Sequence, residues 1–253
     1  MSGRLLPARL ALACLALAGA PRVEAATAAA PPPRRVLFVG NSLTRTNDLP
    51  AVVRALAAAD GLELEVAAVV RDGFSLADHR AAGVALERVA AGGWDVVVLQ
   101  QGPSALPESR VELLREAEIF ARAIRAAGAR PALFMVWPSR ERAFDLPRVV
   151  ESYRRAAAAS DALLAPAGEA WRLALRRSGA PTLWGRDGLH PTPAGTYLAA
   201  LTVYGALTGR EVAALPDRLE FDAGAIRLSE RAGRALRECA ATALGLTPSK
   251  AGE

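Results

Sequence analysis

Ser42 sits in the run Gly40-Asn41-Ser42-Leu43-Thr44, directly after a short apolar stretch and just before residues of helical period. Free backbone N–H groups at such a strand exit suit a nucleophile or an anion contact, and a lone serine there also serves as a helix cap or turn residue. A second run, Asp187-Gly188-Leu189-His190-Pro191-Thr192-Pro193, supplies what a serine nucleophile lacks. A hydroxyl attacks only when a base removes its proton, and an imidazole does this better when a carboxylate fixes its tautomer and stabilises the imidazolium. The spacing of three lets one proline-stiffened loop deliver base and orienter together.

The sequence holds two histidines. His79 falls inside a stretch of helical period and reads as a partly buried helix residue or a neighbour of the pocket. His190 falls in a loop bounded by Gly and Pro, so it is the candidate base. Two histidines with no His/Cys/carboxylate cluster argue against a dedicated metal site, and no cofactor is expected.

Acyl transfer also needs hydrogen-bond donors aimed at the developing oxyanion. The backbone N–H groups of Ser42 and of Gly73, in Arg71-Asp72-Gly73-Phe74, are the first two candidates; Gly73 reads equally as a plain turn glycine. A third should come from Leu99-Gln100-Gln101-Gly102-Pro103-Ser104. Side chains alternate along a strand, so one of the two glutamines should face the crevice. Gln101 is favoured, with Gln100 as the alternative. Trp137, Arg140 and Trp184 are candidate pocket residues, Trp137 foremost for substrate binding, although core or surface roles suit each of them as well.

These loops need a scaffold that brings them to one edge. Short β-branched runs at 36–39, 64–70, 96–99, 132–136 and 162–165 alternate with helical stretches at 49–59, 76–90, 111–127 and 146–158. Gly61, Gly92 and Gly128 act as stops. A further helix follows Pro193, and 230–244 reads as a closing one. This alternation predicts βαβ units on a parallel sheet, with strands buried on both faces. In such sheets ligands bind at the carboxyl ends of the strands, where strand order reverses.

The chain has 253 residues, 52% of them hydrophobic, enough for one α/β domain. Its formal charge of +5 falls to +3 once Arg4, Arg9, Arg22 and Glu24 are set aside. The arginines are scattered rather than clustered with aromatics, so no nucleic-acid partner is expected. Residues 1–25 read as a signal peptide: Arg4 and Arg9, an apolar run from Leu10 to Ala20, and a small-residue cleavage site at Val23-Glu24-Ala25. That run is too short for a stable span in the mature chain, although a retained anchor helix is the competing reading. Cys14 comes too early for a lipoprotein signal. Export to the periplasm or the extracellular space follows, and without Cys14 the mature chain keeps only Cys239, which excludes an internal disulfide. Residues 26–34 form an Ala/Pro-rich linker, 35–246 the folded domain and 247–253 a disordered tail.

At these residues the chain resembles the SGNH/GDSL-like hydrolases, and within them a largely uncharacterised bacterial subgroup. Gly40-Asn41-Ser42-Leu43-Thr44 is similar to the family's first block, Gly73 to its second-block glycine, and Asp187-x-x-His190 to its fifth. The likeness runs from about Arg35 to Arg210. It implies a flavodoxin-like three-layer α/β/α sandwich around a central five-stranded parallel sheet. It also implies Ser42 as nucleophile, His190 as base and Asp187 as its orienter, acting on carboxylic esters. Two departures stand out. Asn41 replaces the more usual Asp, and Gln-Gln-Gly-Pro-Ser replaces the family's Gly-x-Asn-Asp; where Gly102 takes the place of the family glycine, Ser104 falls at the asparagine position, which makes it an alternative third donor by resemblance. A Gln-Gly pair at that place resembles some carbohydrate-directed acetylesterases, which points to a small-molecule or carbohydrate O-acetyl ester as substrate.

Three other readings keep part of these residues. An O-acetyltransferase acting on an envelope polysaccharide would use the same Ser, His and Asp. A non-catalytic flavodoxin-like module could cradle a phosphate on the Ser42 to Thr46 loop, but leaves Asp187 and His190 without a task. A non-catalytic envelope protein could keep the fold as scaffold alone.

Overall fold

The computed structural model describes residues 32–246. The expected signal peptide, most of the linker and the tail at 247–253 lie outside the described residues. Five parallel strands, β1 (Arg35–Gly40), β2 (Glu65–Val70), β3 (Val96–Leu99), β4 (Arg130–Phe134) and β5 (Leu163–Ala165), form one sheet in the order β2-β1-β3-β4-β5. The chain runs outward from β1 to β2 and then returns across β1 to β3. Right-handed crossovers must therefore place the helices before and after that reversal on opposite faces.

The helices divide accordingly. One face carries α2 (Leu49–Ala59), α7 (Ala167–Ala174), α8 (Pro193–Thr208) and α9 (Glu230–Leu244). The other carries α3 (Leu76–Ala82), α4 (Val84–Ala90), α5 (Pro107–Ala126) and α6 (Leu146–Ser160). The result is the three-layer α/β/α sandwich. Val36 to Val39, Val96 to Leu99 and Leu133 to Val136 are sealed between the layers, and α8, apolar nearly all round, is buried among α2, α7 and α9. Among the described residues, no helix is long and apolar enough to cross a membrane.

Some details depart from the sequence reading. β2 is an edge strand and only half-buried, so burial on both faces holds for β1, β3 and β4 but not for it. The helix expected over 76–90 is two, separated by Gly83. An antiparallel hairpin, β6 (Arg218–Phe221) with β7 (Gly224–Arg227), and α7 were not anticipated. Cys239 is free and buried in α9, and burial pushes its thiol pKa up, as befits a small core residue.

Candidate active site

The reversal of strand order between β1 and β3 opens a crevice at their carboxyl ends, and the chain leaves β1 straight into α1 (Ser42–Arg45). Asn41 caps this one-turn helix, its Oδ1 accepting from the Leu43 N–H at 3.1 Å. Its Nδ2 donates to the Phe74 carbonyl at 2.9 Å, tying the serine loop to the loop after β2. An aspartate could not make that donation, which gives a physical reason for the Asn that departs from the family pattern.

Gln100, 1% exposed at the end of β3, holds the same loop from beneath. Its Oε1 accepts from the Asn41 N–H and from the Thr44 hydroxyl, both at 2.8 Å, and its Nε2 donates to the Gln101 carbonyl. A Cβ on Gly40 would lie 2.5 Å from that Oε1, so only glycine lets the glutamine approach. His79, 2% exposed, bonds through Nε2 to the Gly40 carbonyl at 2.8 Å and meets Phe74 edge-on. Desolvation holds its pKa below the usual value, and the neutral ring then donates from Nε2.

Against this loop the fold brings the residues from far along the chain. His190 Nε2 lies 2.9 Å from Ser42 Oγ, and His190 Nδ1 lies 2.6 Å from Asp187 Oδ2. The other oxygen of Asp187 accepts from the N–H groups of Leu189 and His190, each at 3.0 Å. Those bonds, the Leu189 N–H first and the imidazole next, hold the Asp187 carboxyl down at about 2, so it is ionised at any ordinary pH. The electrostatics thus favour an imidazole with its proton on Nδ1 and its lone pair on Nε2 toward the serine.

The loop carrying Asp187 and His190 is braced by three side chains that the sequence reading had offered as pocket candidates. Trp137 is fully buried, stacks on Trp171 at 3.8 Å between ring centroids and donates from Nε1 to the Leu189 carbonyl. It cannot line a substrate pocket, so that expectation is corrected: it supports the loop from within. Trp184 Nε1 donates to the Pro138 carbonyl. Arg140 bonds to the carbonyls of Gly188 and Gly185, through its backbone N–H and its guanidinium respectively.

Beside Ser42 opens a cleft of about 430 Å³. Asn41, Gly73, Gln101, Ser104 and Leu189 border it, and Phe74, Pro103, Leu106 and Pro138 give it apolar walls. Ser42, Asp187 and His190 are not themselves among its walls; it meets them through their chain neighbours. Among the described residues, the backbone N–H groups of Ser42 and Gly73 donate to no protein acceptor. Gly73 has φ +76°, and nothing lies within 4 Å of a Cβ placed on it, so backbone conformation rather than crowding demands glycine.

Gln101 faces the cleft, its Oε1 accepting from the Leu76 N–H and its Nε2 donating to Ser104 Oγ, which leaves one amide hydrogen without a protein partner. Gln100 turns instead toward the serine loop, and the Ser104 hydroxyl donates to the Gly102 carbonyl, so neither alternative presents a free donor as cleanly. Sequence reasoning missed Tyr153 of α6. Its buried hydroxyl shares its one hydrogen between the carbonyls of Gln101, at 2.7 Å, and Gly102, at 3.0 Å, and fixes that turn. A tyrosine among the apolar residues of a helix carries no signal of such a role.

Among the described residues, no group of three His, Cys, Asp or Glu side chains could hold a metal ion. No protein-family model matches the sequence, and a search of curated proteins finds no significant relative. Solved structures do match. A protein of Slackia heliotrinireducens assigned to the SGNH hydrolases is 33% identical, with 68% of this chain and 98% of that one covered and a TM-score of 0.56. A DUF4886 family protein from Bacteroides uniformis is 20% identical over 86% of this chain and 98% of its own, with a TM-score of 0.68. A lipase/acylhydrolase from Enterococcus faecalis is 18% identical over 70% and 96%, with a TM-score of 0.55. The last two share the fold.

Proposed function

Because the chain belongs to the SGNH hydrolase family, we propose that it is a serine esterase in which Ser42, His190 and Asp187 form the catalytic triad. The observation that carries this reading is the hydrogen-bonded chain from Ser42 Oγ to His190 at 2.9 Å and on to Asp187 at 2.6 Å. Ser42 attacks an ester carbonyl while His190 Nε2 takes its proton, and the tetrahedral oxyanion is held by the N–H groups of Ser42 and Gly73 with the Gln101 carboxamide. His190 returns the proton to the leaving alcohol. Water activated by the same imidazole then releases the acid and frees the serine.

Phe74, Pro103, Leu106 and Pro138 give the cleft apolar wall that suits an uncharged acyl group, with Glu112, Arg142 and Asp145 also on its lining, and the cleft volume falls within the roughly 300–1,000 Å³ usual for small-molecule sites. O-acetyl groups on carbohydrate are the proposed substrate class, on the Gln101-Gly102 pair at the cleft edge. We place the enzyme outside the cytoplasm, on the basic-then-apolar pattern of Arg4 to Ala20 followed by small residues.

Ser42→Ala and His190→Ala should abolish p-nitrophenyl acetate hydrolysis, and Asp187→Asn should leave a reduced rate. Full activity in the Ser42 variant refutes the assignment.

A further inference from the structure

The triad joins residues 148 positions apart, and the two segments are anchored to different parts of the fold. The serine segment is held from β3 by Gln100 and from the loop after β2 by Phe74. The imidazole segment is tied to the loop after β4 by Trp137 and Arg140 of that loop and by its own Trp184, which donates to the Pro138 carbonyl. Nothing in those two sets of bonds fixes one segment relative to the other. Among the described residues, three hydrogen bonds join residues 41–48 to residues 184–196. One is the Ser42–His190 bond itself, and both of the others come from Asn47.

Asn47 lies two residues past the end of α1, in the short 3-10 turn Thr46–Asp48. Its backbone is left-handed, φ 54° and ψ 21°, and so is that of Asp48, φ 50° and ψ 60°. Asn and Asp are the side-chain-bearing residues that adopt this conformation most readily. The kink releases the chain from α1 so that α2 can start at Leu49, and Asn47 reaches across to the imidazole segment. One Nδ2 hydrogen goes to the Pro191 carbonyl, immediately after His190, at 3.0 Å. The other goes to the hydroxyl oxygen of the fully buried Thr196, in the first turn of α8, at 2.8 Å. Both donors of one carboxamide are spent on this bridge, and no other side chain presents two hydrogens in a fixed plane at that length.

We propose that Asn47 is a positioning residue for the reaction: its carboxamide sets the separation and orientation of Ser42 and His190 by clamping the Pro191 carbonyl and Thr196. The proposal rests on the esterase reading above. It acts through Pro191 and the backbone, not on substrate, so its loss should appear in the chemical step rather than in substrate binding. Displacement of a reacting pair by about 1 Å is enough to cost on the order of 100-fold in rate.

The test uses Asn47→Gly, which keeps the left-handed backbone accessible and deletes the whole side chain with its carboxamide, and Asn47→Asp, which keeps the shape but cannot donate to the Pro191 carbonyl. Both should melt within a few degrees of the parent and hold KM for p-nitrophenyl acetate within about twofold. Their kcat should fall about 10- to 100-fold, with fluorophosphonate labelling slowed in parallel. Thr196→Val removes one end of the clamp and covers the case where an Asn47 variant does not fold; it should lose a smaller share of kcat with KM unchanged. An unchanged kcat in whichever of these variants remains folded overturns the proposal. Ser42→Ala is run beside them. If it retains turnover, the esterase reading has failed; if it is dead while the folded Asn47 variants are fully active, only the clamp has.

Discussion

Gln100→Leu should destabilise the protein far more than a change of similar size on the surface. The substitution keeps the volume and removes the carboxamide, so the Asn41 N–H and the Thr44 hydroxyl lose their shared acceptor. The Gln101 carbonyl also loses a donor but keeps the Tyr153 hydroxyl at 2.7 Å, so it is not stranded. Asn41, Thr44 and Gln100 are all buried, leaving water no direct route to the abandoned groups. Two stranded donors at about 1–3 kcal/mol each give a loss of roughly 2–6 kcal/mol. At about 2–4 °C per kcal/mol for a domain of this size, that is a fall of roughly 4–24 °C in melting temperature. Urea unfolding monitored by tryptophan fluorescence would measure it. Because the stranded hydroxyl is part of the cost, Gln100→Leu combined with Thr44→Val should recover about 1–2 kcal/mol. A loss below about 1 kcal/mol in the single variant, or no recovery in the double, would refute the reasoning.

Two further outcomes follow from the same contacts. Burial keeps His79 neutral below its usual pKa of 6.5, so the unfolded chain binds a proton there before the folded one does. Stability should therefore be full above about pH 6.5 and decline as pH falls below it, and His79→Gln, able to donate to the Gly40 carbonyl, should lose that part of the slope in pH-dependent melts. Trp137→Phe removes the donor to Leu189 and opens space in the stack with Trp171. It should cost about 2–4 kcal/mol and lower kcat by loosening the loop of Asp187 and His190, seen as a joint drop in melting temperature and p-nitrophenyl acetate turnover.

The meeting of Ser42, Asp187 and His190 was legible in the sequence because each lies in a short local signal: a serine between an apolar run and a helix start, and a carboxylate three residues before an imidazole in a proline-rich loop. Strands β1, β3 and β4 were legible because parallel strands buried on both faces must be apolar throughout. β2 was read as a strand but its edge position was not, because strand order depends on long-range pairing that no local pattern records. The glutamines mark another limit. Alternation separated Gln100 from Gln101, but only packing reveals that Gln100 supports the serine loop while Gln101 borders the cleft. Trp137 illustrates why a large aromatic near a functional loop is ambiguous, since a pocket wall and a buried brace demand the same residue type. Asn47 looked like one more polar residue in a loop; its partners lie 144 and 149 positions away.

In the proposed reaction Ser42 carries the acyl group. Acid-quenching the protein during p-nitrophenyl acetate turnover, followed by peptide mass spectrometry, tests it most directly. Acetylation should appear on the peptide containing Ser42, at Ser42 itself, and should be lost when His190 is replaced by Ala. Acetyl transfer to a different residue, with turnover surviving in Ser42→Ala, would contradict it.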